Sequence, residues 1–113
     1  MLPAQPKTLR TLPLAKSFYR ECERLTAPRH VQDQLRRAAL SIVNNLAEGS
    51  AKPTSKDRAK FYAQALGSFR ECQAMLDLLD QQAILREHDL LGICLFRLHR
   101  ATAAQQSHGS PPG

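Results

Sequence analysis

Arg36-Arg37-Ala38-Ala39-Leu40-Ser41-Ile42-Val43-Asn44-Asn45-Leu46-Ala47-Glu48-Gly49 decides the fold. Ala38, Ala39, Ile42 and Leu46 recur at helical spacing, and Leu35 and Val31 extend the stripe backwards on the same side. The polar residues have an order of their own. Arg37, Ser41, Asn44 and Glu48 follow one another at steps of four, three and four and share a second face. Gly49 then stands where a helix favours a left-handed C-cap. A carboxylate in a last helical turn opposes the helix dipole, so Glu48 is expected to have a cation or N–H group beside it. Two readings of the polar stripe stay open: an ordinary solvated face, or a network that fixes the next loop or meets another subunit.

The same period runs outward in both directions. Residues 1–10 contain Pro3 and Pro6 and read as an extended arm. Thr11-Leu12-Pro13 looks like a helix start, with a capping hydroxyl and a proline in the first turn. Leu14, Phe18, Cys22 and Leu25 follow on one face. Thr26-Ala27-Pro28 breaks the chain and restarts it in the same way. Beyond Gly49, Ser50 to Lys56 is a loop containing Pro53, and Thr54-x-x-Asp57 resembles a capping box. A third helix is expected over residues 55–81, with Phe61, Ala65, Phe69, Cys72, Leu76 and Leu79 as its core face and Tyr62 at the margin. Gln81 to Leu85 connects it to a fourth, Glu87 to Gln105, whose inward residues are Leu90, Leu91, Cys94, Leu98 and Ala101. The tail, residues 107–113, is too polar to bury and is expected to be disordered. One helical domain over residues 11–106 remains. Short loops between long amphipathic helices imply antiparallel neighbours, hence an all-α, up-down-up-down four-helix bundle.

A chain of 113 residues is the size of one domain, and 42% hydrophobic content with only 5% aromatic suits an aliphatic helical core. The net charge of +6 favours an acidic partner: RNA, DNA or an acidic protein surface. Its densest groups are Lys52, Lys56, Arg58 and Lys60, and the pair Arg36 and Arg37. Such groups neutralise phosphates with little sequence preference; the alternative is a solvated helix start. Cys22, Cys72 and Cys94 are odd in number and widely spaced, which argues against a disulfide framework or zinc site and suits small core residues in a reducing cytoplasm. No apolar run approaches a membrane span of about 20 residues, and Met1 to Arg10 lacks the apolar core of a signal peptide. No metalloprotease, nucleophile-elbow or phosphate-loop motif is present. His30, His88, His99 and His108 show no ligand spacing and read as surface residues. Neither catalysis, a metal nor a cofactor is expected.

Two helices carry apolar residues on a second side. Lys60, Gly67, Glu71 and Leu78 cluster opposite the core stripe of the third, with Met75 at the edge; Ile93 and Phe96 point away from the inward face of the fourth. A helix apolar on two sides is usually buried on two sides, so these mark a self-association surface; scattered exposed apolar residues are the alternative. Glycine inside a helix costs about 1 kcal/mol against alanine, so Gly67 is either tolerated or useful for close approach of another backbone.

Two segments together resemble a known family. They are Arg37-Ala38-Ala39-x-Ser41-Ile42-x-x-Asn45-x-Ala47-Glu48-Gly49 and Phe61 through Ala65-x-Gly67-Ser68-x-x-Glu71. In order and spacing they are similar to the bacterial four-helix-bundle proteins first known as open reading frames in intervening sequences of 23S ribosomal RNA genes. The resemblance covers about residues 11–105. It implies an up-down bundle and a ring-shaped homo-oligomer, a pentamer. It also implies kinship with the accessory variability determinants of diversity-generating retroelements, basic bundles that associate with a reverse transcriptase and bind nucleic acid. On that resemblance Arg37, Asn45, Glu48, Gly67 and Glu71 are signature residues, structural or interfacial rather than catalytic. Ser50-Ala51-Lys52-Pro53 departs from the aromatic-glycine-arginine run that often follows Glu-Gly in the family. The expectation is a non-enzymatic adaptor ring that binds RNA or DNA through Arg36, Arg37, Lys52, Lys56, Arg58 and Lys60. A protein-interaction scaffold without nucleic-acid affinity is the alternative.

Overall fold

α2, Arg29–Ala51, carries the stripe that organises the molecule. Leu35, Ala38, Ala39, Ile42 and Leu46 are buried along it, as their spacing predicts. The computed structural model describes the backbone of residues 6–109 and the side chains of residues 10–104. Within them lie α1 (Pro6–Arg24), α2, α3 (Ser55–Leu78), a short α4 (Gln82–Glu87) and α5 (Asp89–Gly109). Among the described residues there is no strand. α2 packs on α1 and α3, α3 on α5, and α5 back on α1, so the four long helices enclose a shared core. The molecule measures 50 × 33 × 21 Å, and the smallest extent is about two helix diameters, hence two layers.

Several helix ends differ from expectation. α1 begins at Pro6, so residues 6–10 are helical rather than part of an extended arm. Pro6 supplies the fixed φ of a first helical position, where its missing N–H costs nothing, which makes the later proline an internal one. Pro13 sits inside the helix, and Thr11 is buried in the core rather than capping an end. Residues 1–5 of the expected arm and 110–113 of the expected tail lie outside the described residues; residues 107–109 belong to α5. At the start of α2, Pro28 in extended conformation is the N-cap, and no side chain, Thr26 included, caps the helix.

Gly49 does not end α2. The helix continues to Ala51, and Gly49 is buried without a left-handed φ. Its smallness answers a different need. A Cβ built there would lie 2.7 Å from Cε1 of Tyr62 and 3.1 Å from Cβ of Phe61, so only glycine lets α3 approach this closely. Correspondingly, Tyr62 is fully buried and Phe61 only half-buried, the reverse of the expected order.

α3 opens as the capping box foretells: Thr54 Oγ1 accepts from the Asp57 backbone N–H at 3.2 Å. It closes three residues early, at Leu78, through a Schellman arrangement. The Gln81 N–H reaches Leu76 O at 2.8 Å, the Asp80 N–H reaches Asp77 O at 3.0 Å, and Asp80 adopts a left-handed φ of 58°. Leu79 is half-buried. The next segment, expected as a connection, coils into α4 because Ile84 anchors it in the core. In α5, Leu91, Leu95 and Leu98 are buried while Leu90 is exposed, which corrects its inward placement. α5 is leucine-rich around much of its circumference, so periodicity alone does not choose a face.

Candidate interaction surfaces

Ser41, Asn45 and Ser68, which belong to the two segments that carry the resemblance, meet between α2 and α3. Ser41 Oγ and Ser68 Oγ lie 2.9 Å apart and share a hydrogen bond. The Asn45 amide donates to Ser41 O at 2.8 Å and to Ser41 Oγ at 3.0 Å. The second stripe of α2 is therefore organised, although Asn45 rather than the exposed Asn44 joins the network. Gln34, Arg37 and Glu71 complete the walls of a groove of about 450 Å³ over these hydroxyls. Arg37 and Glu71 are exposed, and neither has a charged partner within 4 Å among the described residues. Glu48 has the expected cation nearby, Lys52 Nζ at 3.9 Å. Gly67 is exposed, and a Cβ added there would meet nothing within 4 Å, so packing within the chain does not require glycine.

The six basic residues singled out in the sequence divide into three kinds. Arg36 reaches back to the end of α1, donating to Glu23 O at 3.1 Å. Arg58 does the same to the end of α2, donating to Lys52 O at 2.9 Å and to Ser55 Oγ at 3.3 Å. Both satisfy carbonyls that a helix end leaves unpaired, at the terminus where the dipole favours a cation. Lys52 is half-buried, with its ammonium 5.3 Å from the centre of the Phe61 ring and Glu48 on its other side. Arg37, Lys56 and Lys60 are exposed.

Residues 9–94 match the family of the 23S rRNA-intervening sequence protein. The chain belongs to this family. No curated protein and no solved structure matches it. Both segments that carried the resemblance lie inside the match, and the groove between α2 and α3 is where they come together.

A second groove of about 600 Å³ runs between α3 and α5 of the family member, and the sequence reading missed its charged part. Leu66, Phe69, Ile93 and Phe96 line it, with Ile93 40% and Phe96 46% exposed, as expected of the outward side of the last helix. Arg70, Arg97 and Arg100 surround these apolar residues, all exposed. They come from two helices, and the only sequence signal is the three-residue step between Arg97 and Arg100. The helices approach closely here because a Cβ at Gly92 would lie 2.7 Å from the Phe69 ring.

His88 is not the surface residue its sequence context suggests. Its side chain is only 12% exposed, its ring meets Phe18 edge-on at 5.2 Å, and its Nε2 lies 3.8 Å from Glu21 Oε1. Glu87 joins them, bringing one ligand-type atom from each residue within 4.8 Å. Hydrogen bonding by the Glu87 carboxyl, and then the Arg24 guanidinium at 3.3 Å, hold Glu21 below the ordinary carboxylate range. The cluster ties α1 to the elbow between α4 and α5. Cys22 and Cys72 are buried, and burial pushes the Cys22 thiol up to about 12 and the Cys72 thiol higher still. They are core residues and not nucleophiles at neutral pH. No helix among the described residues is long and apolar enough to cross a membrane.

Proposed function

We propose that this member of the family is a non-enzymatic cytoplasmic adaptor that binds RNA or DNA through phosphate contacts and works as a homo-oligomeric ring of up-down four-helix bundles. The observation that carries the reading is that Arg37, Lys56 and Lys60, three of the six basic residues singled out in the sequence, are exposed with no carboxylate within 4 Å among the described residues, on a chain of net charge +6. Cations free of local ion pairs retain their full attraction for a phosphate backbone. A few contacts per chain give weak binding, and a ring multiplies them by avidity. Association with a reverse transcriptase, as in the retroelement accessory proteins, is the most specific form of this role.

The test is binding of a mixed-sequence RNA duplex and a DNA duplex at low and high salt, with wild type and the R37E/K56E/K60E variant. Binding that falls with salt and is lost in the variant, at unchanged oligomeric mass, supports the adaptor. Salt-independent binding, or binding unaffected by the variant, counts against it. A second reading, a protein scaffold without nucleic-acid affinity, is favoured by one observation: Arg36 and Arg58 are engaged with helix-end carbonyls. A multimer indifferent to both duplexes would select it.

A further inference from the structure

We propose that the arginine-lined groove between α3 and α5 receives the acidic, leucine-tipped end of α3 from a second copy of the chain, so that copies associate head to tail. The inference rests on the reading of the protein as a homo-oligomer and names the surfaces that would join. The groove combines exposed Ile93 and Phe96 with the exposed guanidiniums of Arg70, Arg97 and Arg100. None of the three arginines has a carboxylate within 4 Å among the described residues, and Asp89 is the only acidic residue lining the groove. A complementary occupant is apolar at its centre and acidic at its flanks. Two such grooves cannot face each other, because a two-fold contact would set three arginines against three.

The other half of the contact lies on the same chain. Leu78 is 75% exposed, more than any other large exposed apolar residue described. Asp77 and Asp80 flank it, and Glu71 lies two turns earlier on the same exposed side of α3. No lysine or arginine occurs between Arg70 and Arg86. Asp77 accepts a hydrogen bond from the Gln82 amide, while Glu71, Asp77 and Asp80 have no cation within 4 Å among the described residues. The Schellman closure ends α3 directly after Leu78, leaving it exposed beside the acidic pair. A patch and its distinct complement on one chain define a heterologous contact, which propagates into a closed ring or an open filament. The groove side reaches past the family match, which ends at residue 94.

Light-scattering mass of the full chain, with circular dichroism to verify folding, tests this with two variants: R97E/R100E alters the groove and D77K/D80K alters the tip. Each variant alone is expected to fall to the 12.6 kDa mass of one chain. An equimolar mixture is expected to recover species of at least twice that mass, because the intact tip of one variant fits the intact groove of the other and the reversed tip and reversed groove are again opposite in charge. Loss of mass without recovery in the mixture overturns the pairing of these two surfaces. A multimer that both variants leave unchanged also overturns it, while the homo-oligomer reading stands. A wild type that is monomeric at every concentration overturns both. If R97E/R100E keeps its mass but loses binding to the RNA duplex, the groove is a phosphate site and the proposed contact is wrong.

Discussion

Gly49 illustrates how one residue can satisfy a sequence rule for the wrong reason. After a run of helical residues it reads as a C-cap, yet it is a mid-helix glycine fitted against the Tyr62 ring. Adding a methyl group to a packed site costs roughly 1–3 kcal/mol, against a gain of about 1 kcal/mol in helix propensity. Gly49→Ala is therefore expected to lower the urea midpoint, because the fully buried ring has nowhere to go. Gly67→Ala meets no neighbour within the chain and is expected to raise stability by about 1 kcal/mol. An inverted order would remove the steric account of Gly49. The thiols give a second residue-scale test. A thiol reagent at neutral pH is expected to modify half-buried Cys94 first and to reach Cys22 and Cys72 only on unfolding. Fast modification of all three in the native protein would contradict their burial.

At the scale of elements, helix ends hold the least legible features. The core stripe of α2 is readable because its apolar and polar faces are cleanly divided. α5 is not, since Leu90 and Leu95 are equally apolar and only the neighbours on α3 and α1 decide between them. The roles of Arg36 and Arg58 are invisible in sequence, because each depends on a carbonyl brought near by folding. Hydrogen bonds to charged groups contribute about 1.5–3 kcal/mol. Arg58→Ala is expected to cost about that much in denaturant unfolding while leaving duplex affinity unchanged. A loss of affinity at constant stability would return Arg58 to the phosphate-binding set. The joint between α1 and the α4–α5 elbow is sensitive to acid. The Glu87 hydrogen bond and the neighbouring Arg24 hold the folded pKa of Glu21 below that of an ordinary glutamate, so its stabilisation is present above the ordinary value and is lost as pH falls through the folded one. Thermal unfolding is expected to drop in midpoint below about pH 4.5, with a shallower drop in Glu21→Gln. Equal slopes would remove Glu21 from the joint.

For the whole molecule, charge distribution matters more than total charge. The excess of cations is plain in the composition, but which remain available is a property of the fold. Two of the six basic residues picked from the sequence cap helices, and the Arg70, Arg97 and Arg100 group forms only when α3 and α5 meet. The all-helical class and the α2–α3 contact were legible from periodicity and from the paired segments. With three phosphate contacts per chain, log affinity against log salt is expected to fall with a slope near −0.9 for each contact engaged on duplex DNA. A slope indistinguishable from zero would leave the cations without a phosphate role.

The two capping arginines also impose an order in time. Arg36 and Gln32, both in α2, bond the final carbonyls of α1, and Arg58 in α3 bonds the final residue after α2. A chain emerging from the ribosome therefore lacks these bonds until the successor helix has been synthesised, and water holds the carbonyls meanwhile. α3, whose terminal bonds come from its own backbone, closes without waiting. In a nascent chain halted before Arg58, the Lys52 carbonyl is left to water, and the bond that joins the end of α2 to α3 is still to be made.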